Sequence, residues 1–129
     1  MIDVRFHPKI RGISAAFVSR AVSAALRAEK AAGRPMSVYV TTNADIRRIN
    51  KRYLKHDYAT DVISFETGDL AVSADFARGY AKKNGIPFRE ELSRYLVHGT
   101  LHLLGYDDRK KSDYVKMHRR QEQILKKIA

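Results

Sequence analysis

Between His98 and Asp108 the chain reads HGTLHLLGYDD, and no other stretch constrains the fold so tightly. Leu101, Leu103 and Leu104 anchor it as a helix on a core, while His98 and His102 share another side. Residues four apart on a helix are surface neighbours, so the two imidazoles stand within reach of a single cation. Gly105, three residues after the second His, is free to take positive φ, end the helix and turn the chain back. Asp107 or Asp108 then returns toward the histidines.

The pattern His-x-x-x-His-x-x-Gly-x-x-Asp has the spacing of the extended metal motif of metzincin peptidases, with Asp in place of the third His. Two neutral nitrogens and one carboxylate make an open zinc site. A bare pair of His at this spacing also occurs on ordinary helix surfaces; the placed glycine and the acid of the turn set this one apart. The chain has no cysteine, which excludes disulfides, thiolate zinc fingers, iron–sulfur clusters and a Cys nucleophile, so any metal is held by nitrogen and oxygen. The peptidases place a Glu general base directly after the first His; here that position is Gly99, which disfavours zinc proteolysis. Another electrophile fits better. With 25 Lys and Arg against 14 Asp and Glu, a formal net charge of +11, the chain favours polyanions, and phosphodiester hydrolysis is the natural expectation.

The remaining segments predict a single domain over residues 1–129 of α/β (α+β) class, a small mixed sheet of about four strands packed with about five helices. A strand over Ile2–Phe6 precedes a helix capped by Ser14, with Phe17, Val18, Ala21, Val22, Ala25 and Leu26 at helical spacing and a stop at Gly33 and Pro35. A strand at Met36–Thr42 is followed by a helix with Asn43 as N-cap. In it Ile46, Ile49, Tyr53 and Leu54 point inward, and Arg47, Arg48, Lys51, Arg52 and Lys55 lie on or near the other side. Residues 61–65 and 68–73 read as a β-hairpin. Ser73 caps a helix ended by Gly85, and Pro87 takes the first position of a longer one reaching Leu104. A last helix over about 112–128 places Tyr114, Val115, Met117, Ile124, Leu125 and Ile128 near one side.

These residues carry a family resemblance. The run His98-Gly99-Thr100-Leu101-His102-Leu103-Leu104-Gly105-Tyr106-Asp107 resembles the signature His-Gly-x-Leu-His-Leu-x-Gly-Tyr-Asp-His of the YbeY endoribonucleases, also described as ribosomal RNA maturation factors. The likeness extends to Asn50-Lys51-Arg52-Tyr53 with Asp57, Thr60 through Phe65, Gly68-Asp69-Leu70, and Gln121-Glu122-x-Ile124-Leu125. It implies a zinc-type site on a helix in a mixed α/β fold, and single-strand-directed RNA cleavage in small-subunit ribosomal RNA maturation and ribosome quality control. RNA, small-subunit ribosomal RNA and ribosome-associated proteins are the partners it implies. Two positions depart from the pattern. Asp108 stands where the family has its third His, which lowers the formal charge of a zinc site by one unit and widens the choice toward manganese, iron or nickel. Zinc remains the first choice. Leu54 stands where the family has an Arg suited to stabilising charge on the reacting phosphate.

The expected metal ligands are thus His98, His102 and Asp108, with Asp107 as rival ligand or turn cap. Arg52 and Lys55 are candidate catalytic cations, and Arg47, Arg48, Lys51, Arg52 and Lys55 candidate RNA contacts. Tyr53, Tyr58, Phe65 and Tyr106 could stack on unpaired bases, with core packing the expected fate of Phe65. His7, His56 and His118 read as surface or capping residues, although the last helix could bring His118 beside the motif. A ribosome-associated RNA-binding factor with a structural metal is the alternative to an enzyme. The opening MIDVRFHPKI lacks the apolar core of a signal peptide and no apolar run is long enough to span a bilayer, so a cytoplasmic protein without membrane contact is expected. Nothing in the sequence sets an oligomeric state.

Overall fold

In β2 (Met36–Thr41) the apolar Met36, Val38 and Val40 are buried and alternate with half-exposed Ser37 and Tyr39, the period-two pattern of a strand with one face on a core. The computed structural model, which describes residues 2–128, sets this strand in a four-stranded sheet with β1 (Ile2–Phe6), β3 (Val62–Phe65) and β4 (Asp69–Ser73). The order is β1-β2-β4-β3. β1, β2 and β4 run parallel, and β3 closes one edge antiparallel to β4, so the expected hairpin is present. Five helices complete the architecture: α1 (Ala15–Ala28), α2 (Asn43–Leu54), α3 (Ala74–Asn84), α4 (Phe88–Leu103) and α5 (Lys111–Ile128). The small mixed sheet packed with five helices is the fold class the sequence predicts.

The main core forms where Val38, Val40, Leu70 and Val72 of the sheet meet Val18, Val22 and Leu26 of α1 and Leu92 and Leu96 of α4. A second cluster, Ala25, Val97, Leu101, Met117 and Ile124, locks α1, α4 and α5 together. On the opposite face of the sheet Ile46 of α2 packs on Ile63 and Ala71. α4 is therefore enclosed on almost every side. Past its exposed first turn, Arg94, His98 and His102 keep partial access along a stripe of residues four apart, and that stripe is what the body of the helix offers to solvent.

Several local expectations shift for physical reasons. Thr42, not Asn43, caps α2, its hydroxyl accepting from the Asp45 amide. Asn43 is occupied elsewhere: its amide N–H donates to Asp75 and its side-chain carbonyl accepts from the Ser73 hydroxyl, tying α2 to the start of α3. Pro87 sits just outside α4 at ψ 139°, an extended cap and not the first helical residue. Tyr53 and Leu54 do not point inward; they are 62% and 44% exposed in the last turn of α2, where Tyr53 meets the sheet through Phe65 at the end of β3. Tyr114 and Val115 are exposed likewise, since α4 ends at Leu103 and α5 finds its partner only from Met117 onward.

Candidate metal centre

α4 stops because Gly105 takes φ +103°. Its amide donates to the His102 carbonyl at 3.1 Å and the Tyr106 amide reaches back to the Leu101 carbonyl at 3.1 Å, the paired bonds of a Schellman C-cap. This reversal builds the site. It brings the Tyr106 carbonyl to 2.9 Å from His102 Nδ1 and swings Asp108 Oδ1 to 3.9 Å from His102 Nε2. A backbone carbonyl only accepts, so Nδ1 of His102 carries the proton and Nε2 keeps the free lone pair.

One ligand atom from each of His98, His102 and Asp108 lies within 4.8 Å of the other two. Ligands on a tetrahedral zinc stand ~3.4 Å apart. The three side chains thus need to close by about an ångström, which rotamer adjustment of the 36% exposed His102 and 43% exposed Asp108 allows. Two imidazoles and one carboxylate fit a divalent transition ion and leave a coordination position open. Asp107, the rival, is already used: its Oδ1 accepts from the Asp108 and Arg109 amides at 2.7 and 3.1 Å and holds the turn.

The three groups open into a cleft of about 540 Å³ whose walls include Asn50, Leu54, His56, Tyr58, Asp61, Ser64 and Glu66. Its charged lining consists of Asp61, Glu66 and Asp108, with three imidazoles and no Lys or Arg. In a chain of +11, this local concentration of carboxylates and ring nitrogens favours a cation before an anion. The segments quoted for the family likeness run along this cleft. Asn50 is buried and its amide donates to the Tyr58 carbonyl, holding the loop after α2 against the helix. Ser64 donates to the Gly99 carbonyl of α4 at 3.0 Å, joining β3 to the helix that carries the histidines.

The basic residues of α2 lie outside the cleft lining. Arg47 is paired with Asp57 at 2.8 Å, which holds that carboxyl below its ordinary range, and Arg48 is paired with Asp45 at 2.9 Å. Lys51 approaches Asp57 at 4.0 Å, Arg52 lies over the Tyr53 ring, and Lys55 closes α2 at φ 60°. Leu54 is the α2 side chain that reaches the cleft beside Asn50. His56, read from the sequence as a surface or capping residue, is exposed at the cleft wall and pairs with the Tyr58 hydroxyl at 2.7 Å. His118 stacks on Tyr114 and lines a small adjoining cavity with His98 and Asp108, without joining the three-residue group. Phe65 and Tyr53 meet in a T-shaped contact, ring centroids 5.9 Å apart.

Behind the site, the Tyr106 hydroxyl donates to Glu29 at 2.8 Å and Arg120 Nε to the same carboxylate at 2.6 Å. Burial pushes the Glu29 carboxyl up, but these two donors more than offset it and hold it below the usual range. The turn that delivers Asp108 is so fastened to α1 and α5, and Tyr106 is committed to that network. His98 Nδ1 meets the side-chain amide of buried Gln121 on α5 at 2.8 Å. Gln121 lies in a segment of the family likeness, and no local pattern in the sequence points it at His98.

A family profile described as Endoribonuclease YbeY matches residues 8–129. A protein named endoribonuclease YbeY from Chlorobaculum parvum is 33% identical over 130 residues, covering 95% of this chain and 92% of that one. Another of that name from Solibacter usitatus is 44% identical over 87 residues, covering 64% of this chain and 59% of that protein. A solution structure of a Thermotoga maritima protein shares the fold, with TM-score 0.73 at 20% identity over 99% of this chain and 89% of the other. With the match running through the cleft-lining segments and the His98–Asp108 turn, the chain belongs to the endoribonuclease YbeY family.

Proposed function

We propose that this chain is a metal-dependent endoribonuclease that cuts single-stranded stretches of RNA, with His98, His102 and Asp108 holding one zinc ion. Convergence of those three side chains in one cleft, in a chain of this family, is the observation that carries the reading. A divalent ion held there supplies Lewis-acid polarisation of a phosphodiester oxygen and makes water a stronger nucleophile. The chain's own residues do the rest. His102, its Nδ1 bonded to the Tyr106 carbonyl, presents Nε2 to the cleft, and Asp108 adds one negative charge to the ligand set. Ser64 and Asn50 hold β3 and the loop after α2 as the walls between which a strand of RNA lies. Arg52 and Lys55, which have no carboxylate within ion-pair distance among the described residues, attract phosphates at the rim. Small-subunit ribosomal RNA is the substrate and ribosome-associated proteins the partners this reading assigns. A cytoplasmic location agrees with it, and no helix among the described residues is long and apolar enough to cross a membrane. Residues 1–129 act as one domain.

Leu54 in the cleft, where the family resemblance calls for an Arg, favours a second reading: a ribosome-associated RNA-binding factor whose metal is structural. The test is metal content and cleavage of single-stranded RNA by the wild type and a folded His98→Ala/His102→Ala variant. One bound metal and cleavage, both lost in the variant, support the nuclease. Metal and RNA binding without turnover support the factor. Unchanged metal content and cleavage in the variant refute the assignment of the site.

A further inference from the structure

Gln121 and Glu122 belong to the segments that carry the family likeness, and apart from the contact of Gln121 with His98 neither reaches the cleft. Gln121 sits on α5 with 5% of its surface exposed, against the inner edge of the candidate ligand His98. Its Nε2 donates to Glu122 Oε2 at 3.0 Å. Glu122 is in turn gripped by Arg94 of α4, Nε to Oε2 at 3.0 Å and Nη2 to Oε1 at 3.2 Å, a two-pronged guanidinium–carboxylate pair. Arg94 is itself fixed from the other side by Glu91, which is 3% exposed, and by Glu90 at 3.3 Å. The chain of contacts therefore starts on one accessible stripe of α4 at Arg94, crosses to α5, and returns to the same stripe at His98 one turn later.

The donor and acceptor chemistry of that chain has a direction. A carboxylate chelated by a guanidinium can only accept, so the Gln121 atom facing Glu122 must be the amide NH₂. The other end of the same amide, facing His98, must then be the carbonyl oxygen. A carbonyl oxygen requires a donor opposite, which puts the proton of neutral His98 on Nδ1 and leaves the lone pair on Nε2. We propose that Gln121, oriented by Glu122 and through it by Arg94, is a positioning residue that holds His98 in the Nδ1–H tautomer with Nε2 bare for a metal ion. The inference rests on the metal reading for its purpose but not for its geometry. His102 reaches the same state through the Tyr106 carbonyl, so the two imidazoles are set by two unrelated devices, one backbone and one side chain. An amide in this place orients His98 while keeping the charge of Glu122 one residue away from the ligand set.

The tautomer can be read in metal-free protein, at alkaline pH where imidazole is neutral, by long-range ¹H–¹⁵N correlation. The wild type is expected to show His98 protonated on Nδ1. In Gln121→Met, which keeps length and volume but loses the acceptor, and in Glu122→Gln, where the amide is free to reverse, His98 should move to Nε2–H or a mixture. Zn²⁺ affinity measured by competition with a chromophoric chelator should fall about 10–100-fold in both variants, as for other partners that orient metal-bound His. Urea midpoints confirm that each variant is folded, and Glu122→Gln at a partly exposed position serves if Gln121→Met is not. A wild-type His98 protonated on Nε2, or an unchanged tautomer in both variants, overturns the proposal. If Zn²⁺ fails to bind even the wild type, the metal reading falls, and the tautomer comparison still decides the role of Gln121.

Discussion

Gly99 separates His98 from Thr100 in the middle of α4, and its replacement by Ala is the sharpest test of how the site is held. By helix propensity alone, Ala in place of Gly in a helix interior stabilises by about 0.5–1 kcal/mol. The surroundings argue the other way. A Cβ at residue 99 would lie 2.9 Å from Leu70 Cδ2, 2.9 Å from Val62 Cγ2 and 3.4 Å from Leu70 Cδ1. Carbon atoms pack at roughly 3.5–4.0 Å. Leu70 is 1% exposed in the central strand β4, and Val62 is β-branched with little rotamer freedom, so neither side chain can simply swing away. Overpacking of this kind costs about 1–3 kcal/mol, and the middle of that range leaves Gly99→Ala destabilised by roughly 1–1.5 kcal/mol after the propensity gain. With a urea m-value of about 1–2 kcal/mol/M, the midpoint should drop by about 1 M without a change in slope. Backing α4 off the sheet also stretches the Ser64 bond to the Gly99 carbonyl and shifts His98, so metal affinity should fall in parallel. A Gly99→Ala protein with a raised urea midpoint would refute the close approach of α4 to β3 and β4. The same contact closes the peptidase reading at this position: a Glu base there would be driven into the sheet, away from the cleft.

Four further outcomes are expected. Leu54→Arg puts a guanidinium into the cleft that has none, and should raise the rate of RNA cleavage by about 10²-fold and steepen the log affinity versus log salt slope by about 1; an unchanged rate and slope would dissociate Leu54 from the site. Asp108→Ala should abolish stoichiometric metal, whereas Asp107→Ala should keep it and lose about 0.5–1 kcal/mol of stability through the turn, as read by metal analysis and urea unfolding; the reverse pattern would make Asp107 the ligand. Tyr106→Phe should cost about 1 kcal/mol by removing a donor to Glu29. Because the Glu29 carboxyl is held below its unfolded value, its contribution is present at neutral pH and is lost as pH falls through the lowered folded value. Glu29→Gln should flatten the acid limb of the stability–pH curve, and a wild-type and variant pair with parallel acid limbs would refute the network.

The elements with strong periodicity were legible because burial on one face is a local pattern: β2 alternates, α1 repeats its apolar residues at three and four, and Gly105 ends α4 where expected. The His98–His102 pair and the returning acid were legible for the same reason, since a helix turn and a Schellman cap are built from neighbours in sequence. Element ends were not. Tyr53, Leu54, Tyr114 and Val115 have the right period for burial, but a helix face is buried only where another element covers it, and a local period does not encode where that cover ends.

From sequence alone followed the fold class, the two imidazoles on one face, the glycine that turns the chain, the exclusion of thiolate ligands and the family likeness. Tertiary structure alone decided which acid is free, because Asp107 spends its carboxylate on the turn while Asp108 is left facing His102. It also separated Leu54 from its basic neighbours, bringing the Leu54 side chain into the cleft and leaving Arg47, Arg48, Lys51, Arg52 and Lys55 outside it. Finally it set His98 against Gln121, 23 residues away. A contact of that kind depends on how α5 packs across α4 through Met117 and Ile124, and no local periodicity encodes the distance between two helices.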